Sequence, residues 1–141
     1  LRCQVDKDQI RQVFWNILIN AVQAMPEGGC MQIASYYRMK GMCYDASEAS
    51  CIPLGPMHQL VITFTDSGVG ISDDQLQKIF DPFVSYRSGG IGLGLSIVMQ
   101  VLKLHHADIA IDSGIDEGTT FTLIFPCVSH YEEKESQSAH R

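Results

Sequence analysis

Asp81-Pro82-Phe83-Val84-Ser85-Tyr86-Arg87-Ser88-Gly89-Gly90-Ile91-Gly92-Leu93-Gly94-Leu95-Ser96 sets four glycines within six residues at the head of an apolar segment with helical patterning. Glycine takes positive φ and lets backbone approach a ligand closely. The first turn of the helix that follows offers unpaired N–H groups and a partial positive charge. Together these make a cradle for a phosphate. A glycine-rich turn alone has the composition of any flexible loop, so its weight comes from two companions. One is the pair Asn16 and Asn20 on an earlier helical pattern, and the other is the turn Asp66-Ser67-Gly68-Val69-Gly70-Ile71.

Upstream of that stretch, Ile10, Val13, Phe14, Ile17, Leu18, Ala21, Val22 and Met25 recur at helical spacing and predict an amphipathic helix from Asp6 to Met25. Asp6 is its expected N-cap, with Gln9 three residues on and Val5 placed to staple against Ile10. Pro26, Gly28 and Gly29 end it. Met31 to Met39 reads as a strand, Gly41 to Pro56 as a loop long enough to be an insertion (about 40–57), and Leu60 to Thr65 as a second strand that delivers Asp66. A short helix over Asp73 to Ile79, a helix from Leu93 to His105 with Leu95, Val98, Val101 and Leu102 inward, and strands Asp108 to Asp112 and Thr119 to Phe125 complete the order αββααββ. That order predicts an α+β sandwich, a mixed and mostly antiparallel sheet against helices, and not repeated βαβ units. Residues 1–128 read as one domain and 129–141 as a polar, frayed tail.

Ten basic against sixteen acidic residues give a net charge of −6, which argues against a surface built for nucleic acid or anionic lipid. Any polyanion site is therefore local. No apolar run approaches the ~18 residues of a membrane span and no signal peptide precedes the first helix, so a cytoplasmic domain is expected. The chain starts without Met, as an excised piece of a longer protein would. Five scattered cysteines without a Cys-x-x-Cys pair predict reduced thiols; Cys43, Cys51 and His58 are the weak alternative of a zinc site.

A polar strip of Gln9, Gln12, Asn16, Asn20 and Gln23 borders the apolar face of the first helix. Asparagine is a poor helix-interior residue, so two stacked one turn apart need a reason beyond solvation. An amide oxygen is a neutral, hard ligand that suits Mg²⁺ without repelling phosphate. Asp66, at a strand end, is an acceptor-only group fitted to an exocyclic amine, although an Asx turn within its own loop is an equal reading of that residue alone.

Taken together, Asn16-Ile17-Leu18-Ile19-Asn20-Ala21-Val22-Gln23-Ala24-Met25-Pro26-Glu27-Gly28-Gly29, Asp66-Ser67-Gly68-Val69-Gly70-Ile71, Ile79-Phe80-Asp81-Pro82-Phe83, Gly90-Ile91-Gly92-Leu93-Gly94-Leu95-Ser96 and Gly118-Thr119-Thr120-Phe121 resemble the N, G1, F, G2 and G3 boxes of sensor histidine kinases, in that order. The resemblance covers roughly residues 5 to 126 and implies the Bergerat ATP-binding sandwich. It also implies roles. Asn20 would coordinate Mg²⁺, and Asn16 would hold the metal's water or the phosphate tail. Asp66 would accept from the adenine amino group above a floor shaped by Gly68, Gly70 and Ile71. Gly90, Ile91, Gly92, Leu93, Gly94 and Leu95 would surround the phosphates, Phe80 and Phe83 would anchor a lid carrying Arg87, and Thr120 would back the adenine. Asn16, Asn20 and Arg87 would be the catalytic set.

The chain departs from that pattern at Gln23, where Lys or Arg is common, at Ser85-Tyr86 before Arg87, at Ile91, and at His105-His106-Ala107, which lacks a C-cap glycine. His105 and His106 are expected to be structural or exposed, not catalytic. None of His58, His105, His106, His130 and His140 has the acidic neighbour of a phosphoacceptor. The resemblance therefore implies a domain that binds ATP and Mg²⁺ and presents the γ-phosphoryl to a histidine on a separate dimerisation domain of a homodimeric parent, membrane-anchored or not. A response regulator would act downstream, and this piece alone would be monomeric. Trp15 and Ile19, off the core stripe, are expected to face the dimerisation domain. The alternatives are a non-catalytic adenine-nucleotide module or an anti-sigma-type serine kinase or ATPase of the same fold. A Rossmann site does not fit, because its glycines follow the first strand of a βαβ unit.

Overall fold

The computed structural model describes residues 2–44, 53–84 and 92–127. Arg87, Gly90 and Ile91 of the candidate set, together with Ser85, Tyr86 and the 129–141 tail, lie outside these described residues.

Helix α1 spans Lys7–Ala24 and starts as its sequence dictates: the Asp6 carboxylate accepts from the N–H groups of Asp8 and Gln9. Val13, Ile17, Ala21 and Ala24 form its buried stripe. Val22, expected inward, is instead 67% exposed, since it lies on the flank of the helix away from that stripe. Strands β1 (Met31–Tyr44) and β2 (Pro53–Asp66) follow, then a four-residue helix α2 (Asp73–Leu76), helix α3 (Gly94–Leu104), and strands β3 (Asp108–Gly114) and β4 (Gly118–Cys127). The sheet has the order β1-β2-β4-β3, and every pairing in it is antiparallel.

Both long helices lie on one face of this sheet. Val13 and Ile17 of α1 meet Val98, Val101 and Leu102 of α3 over Phe64, Phe121, Leu123 and Phe125 of the strands, and the rings of Phe14 and Phe64 are tilted against each other at 5.2 Å. Each fully buried aliphatic chain here contributes about 1.5–3 kcal/mol. Strand β4 alternates strictly, with Thr119, Phe121, Leu123 and Phe125 under the helices and the residues between them turned to the other face.

Three elements, β1, β2 and α2, differ from the expected bounds by more than two residues. The stretch 41–56 was expected as loop, yet β1 and β2 continue into it, with Met42 opposite Pro56 and Tyr44 opposite Pro53 across two register shifts. Proline is tolerated there because, among the described residues, β4 pairs with β2 only from His58 on, so Pro53 and Pro56 face one described neighbouring strand, β1. Helix α2 has a Ser72/Gln75 capping box but stops after one turn. Tight i→i−3 bonds then carry the chain on, from Lys78 to Gln75 and from Asp81 to Lys78.

The far end of the fold is closed by contacts that sequence spacing does not reveal. Cys3 and Cys127, 124 residues apart, are joined as a disulfide with a Cα separation of 4.4 Å. This corrects the expectation of reduced thiols for that pair: the segment entering α1 runs beside the last residue of β4. Cys30 is free and exposed, and the side chains of Cys43 and Cys51 lie outside the described residues. Beside the disulfide, His105 donates from Nδ1 to the Val101 carbonyl (2.7 Å) and accepts the Asp6 N–H on Nε2 (2.9 Å), so it joins the end of α3 to the start of α1. The left-handed residue that ends α3 is His106, with φ 53°. His105 is thus a structural link, and the side chain of His106 is exposed. Among the described residues no helix is long and apolar enough to cross a membrane.

Candidate functional site

A cleft of about 780 Å³ opens between α1, the start of α3 and the adjoining ends of β2 and β4. Its floor is built where Asp66, the last residue of β2, stands opposite Thr119 near the start of β4. Asp66 is 5% exposed, and one of its carboxylate oxygens accepts the Gly68 N–H at 2.9 Å. The Asx turn and the ligand role are thus compatible, since the bond to Gly68 uses one oxygen and leaves the other with acceptor capacity.

The turn after Asp66 is clamped on both sides. Ser67 donates its N–H to the Cys30 carbonyl while its hydroxyl accepts from the Cys30 N–H, and Val69 donates to the Ala24 carbonyl at the end of α1. Gly70 and Gly118 have φ of +70° and +82°, and a Cβ at either position would overlap backbone, of Gly114 in the first case and of Asp66 in the second. Only glycine satisfies both conditions, positive φ and the missing Cβ. The β3–β4 turn is thereby pressed against the floor, and the Asp116 N–H reaches the Val69 carbonyl at 2.9 Å.

The helical wall carries the two asparagines. Asn16, Asn20 and Gln23 line the cleft from α1. The side-chain nitrogen of Asn16 is buried with no hydrogen-bond partner among the described residues, an arrangement that costs about 1–3 kcal/mol unless a ligand relieves it. Across from it lies the start of α3, where a Cβ on Gly94 would stand 3.4 Å from the Asn16 amide oxygen. The N-cap of α3, Leu93, makes no side-chain capping bond. The first N–H groups of that helix therefore lack the partner that a capping side chain would supply, and they form a natural anion site. The Ser96 hydroxyl donates back to the Leu93 carbonyl at 2.9 Å.

Of the sequence-derived candidates, Asn16, Asn20, Gln23, Asp66, Gly70 and Ile71 meet in this cleft with Gly92, Leu93, Gly94 and Leu95. Gly68 sits behind Asp66 instead of lining the cavity. Phe80 is half-buried and off the cleft, and the Phe83 ring is 76% exposed. Phe83 makes contact through its backbone: with φ of 65° it donates its N–H to the Gly92 carbonyl at 3.0 Å, which ties together described residues on either side of 85–91. Thr120 is the clear correction. Its hydroxyl meets that of Thr65 at 3.0 Å on the opposite face of the sheet, and the side chain that enters the cleft is its neighbour Thr119. One residue along a strand reverses the face. Ile19, expected as a docking residue, is on the cleft rim, whereas Trp15 is 63% exposed.

Residues that sequence reasoning did not single out also line the cleft, among them Ile79 and Val84 before the glycine loop, Ile97 one turn into α3, Ile115 and Asp116 from the β3–β4 turn, and Phe121 behind the floor. Only Thr119 and Phe121 carried a signal, the alternation of β4. Among the described residues no Lys or Arg lines the cleft, so phosphate would be met there by amides and N–H groups. A mostly apolar slot that ends in a buried carboxylate at one side and in amides and a helix N-terminus at the other suits a flat, amine-bearing ring joined to an anionic tail.

That combination of sheet, helices and cleft defines an ATPase-type nucleotide domain, and the comparisons agree. Residues 5–129 match the family of histidine kinase-, DNA gyrase B- and HSP90-like ATPases, and the chain belongs to that family. Among curated relatives, the signal transduction histidine-protein kinase AtoS of Escherichia coli (strain K12) is 36% identical over 121 residues, covering 86% of this chain and 17% of AtoS. Sporulation kinase C of Bacillus subtilis (strain 168) is 34% identical over 124 residues, covering 88% of this chain and 25% of the kinase. The chain thus spans about a quarter or less of the curated relatives it matches. The nucleotide-free catalytic domain of histidine kinase ThkA superposes with a TM-score of 0.64 at 27% identity, over 89% of this chain and 72% of that one. Full-length ShkA in complex with AMPPNP shares the fold, with a TM-score of 0.64 at 22% identity over 88% of this chain and 23% of its own.

Proposed function

We propose that this chain is the catalytic domain of a two-component sensor histidine kinase, which binds Mg·ATP in the cleft and presents the γ-phosphoryl to a histidine on a separate dimerisation domain of its parent. The observation that carries the reading is the pairing, in one cleft, of a buried carboxylate floor with an asparagine wall facing the N-terminus of a helix. Asp66 accepts from the adenine amino group. The first-turn N–H groups of α3 and the Asn16 amide, whose nitrogen has no protein partner among the described residues, take the phosphate oxygens.

The donor set fits Mg²⁺. Neutral carboxamide oxygens are hard ligands, and Asn20 is the residue that would hold the ion, with Asn16 on its water or on phosphate. When bound, the ion neutralises phosphate charge that no described cation in the cleft offsets. The chain's own contribution is positioning: the slot fixes the ring, the amides and N–H groups fix the tail, and the terminal phosphoryl is left facing outward for in-line attack. No residue here need act as nucleophile, and a general base would belong to the acceptor's domain. Arg87 is assigned to the lid on the resemblance of its segment alone.

On this reading residues 1–128 form the catalytic domain. The parent supplies dimerisation, the phosphoacceptor and a response regulator as downstream partner, and the domain works on the cytoplasmic side. Incubating the parent protein with γ-labelled ATP tests the proposal. Acid-labile, alkali-stable label on the protein, lost in Asn20→Ala and Asp66→Asn, is the expected result. Nucleotide binding with no label on any histidine would overturn it in favour of a binding module without transfer.

A further inference from the structure

Ser113, on β3 outside the cleft lining, fixes the proton of the Thr119 hydroxyl, and we infer that it thereby sets the choice of base in the nucleotide site. This inference rests on the proposed adenine-nucleotide reading and extends it to a residue that does not touch the ligand. The Ser113 hydroxyl oxygen has three partners: the Ile71 N–H at 2.9 Å, the Gly118 carbonyl at 2.8 Å and the Thr119 hydroxyl at 2.9 Å.

The roles of these partners follow from the donors and acceptors available. A carbonyl only accepts, so the single Ser113 proton goes to Gly118. An amide N–H only donates, so Ile71 occupies one Ser113 lone pair. The remaining lone pair takes the Thr119 proton, and with one donation and two acceptances Ser113 is saturated. Thr119 is 4% exposed and lines the cleft, and its proton points away from the cavity into the sheet. Only its lone pairs face a ligand.

Thr119 is the register partner of Asp66, so the floor presents a carboxylate beside a hydroxyl that is held as an acceptor. An exocyclic amine satisfies both. A carbonyl oxygen in the same place meets two acceptors and no donor, which a buried site penalises strongly. Ser113 is therefore a positioning residue for specificity. Without it the Thr119 proton is released to turn into the cleft, where it can donate to a carbonyl.

The test is a calorimetric titration with ADP and with IDP, which carries a carbonyl and an adjacent N–H where adenine has an amine and a bare ring nitrogen. In the unmodified protein ADP is expected to bind far more tightly than IDP. In Ser113→Ala the ADP/IDP affinity ratio is expected to narrow about tenfold, the worth of one ordinary hydrogen bond. Ser113→Thr, which keeps the hydroxyl, should restore it. A purely structural role would weaken both ligands alike and leave the ratio unmoved, and that result overturns the inference. If Ser113→Ala does not fold, Thr119→Val carries the test in the same titration: a narrowed ratio supports the inference and an unchanged ratio sinks it. Failure of the unmodified protein to bind ADP at all would instead remove the adenine-nucleotide reading, and the inference with it.

Discussion

The two sides of the cleft are built on opposite terms. On the floor the polar groups are tied down by the protein itself: Asp66 to Gly68, Ser113 to three partners, Ser67 to Cys30 in both directions. On the helical wall, the Asn16 amide nitrogen is buried without a partner among the described residues, and α3 begins without a side-chain cap. The floor is preorganised and its shape costs the ligand nothing. The wall holds hydrogen-bonding capacity that no described residue satisfies. A fixed end to choose the base and an unsatisfied end to grip a charged tail divide specificity from affinity within one cavity.

Substitutions at each side sharpen that contrast. The largest effect is expected at the floor, in Gly118→Ala, which places a Cβ on the Asp66 carbonyl at a φ of +82°. A loss of about 3 kcal/mol or more follows from strain and overlap together. It would be read as a fall in Tm of roughly 10 °C, together with loss of nucleotide binding.

At the wall the sign reverses. Asn16→Leu removes a side-chain nitrogen that is buried with no described partner, so nucleotide-free stability should rise by about 1 kcal/mol while affinity for Mg·ADP falls about tenfold or more. Thermal melts with and without nucleotide measure both, and a loss of stability in the free protein would contradict the view of this residue as an unsatisfied group. The smallest effect belongs to neither side. His105→Phe removes the link between the ends of α1 and α3 and should cost about 1–2 kcal/mol by melting. It should leave nucleotide affinity within about twofold.

The sequence made much of this visible for identifiable reasons. Asn16 and Asn20 stand out because asparagine is disfavoured within a helix, and Asp66 because a strand delivers it to a glycine turn. Periodicity gave α1, α3 and β4 within a residue or two. Other features were legible only in three dimensions. Thr119 and Thr120 are chemically identical neighbours, separated in sequence only by Thr119's phase with Phe121, Leu123 and Phe125, and it takes the pairing of β4 to show that this phase is the cleft side. The Cys3–Cys127 pair and the His105–Asp6 bond join residues about a hundred or more positions apart, and no local pattern announces them. The strand ends at 41–44 and 53–56 were hidden by Pro53 and Pro56, which read as loop in sequence. Ile79, Ile97 and Ile115 line the cleft as ordinary apolar residues, with nothing in their type to separate lining from core.

The central claim is that Asp66 is the floor on which the base is recognised, and one comparison tests it most directly. The protein and its Asp66→Asn variant are titrated with ADP and with AMPPNP, with and without Mg²⁺, and both are melted without nucleotide. Asparagine keeps an oxygen for the Gly68 N–H, so the free variant should melt within a few degrees of the unmodified protein. Its nucleotide affinity should fall by about 10- to 100-fold, the worth of a hydrogen bond to a charged group. Equal affinities for the two proteins would contradict the claim and place the base elsewhere in the fold.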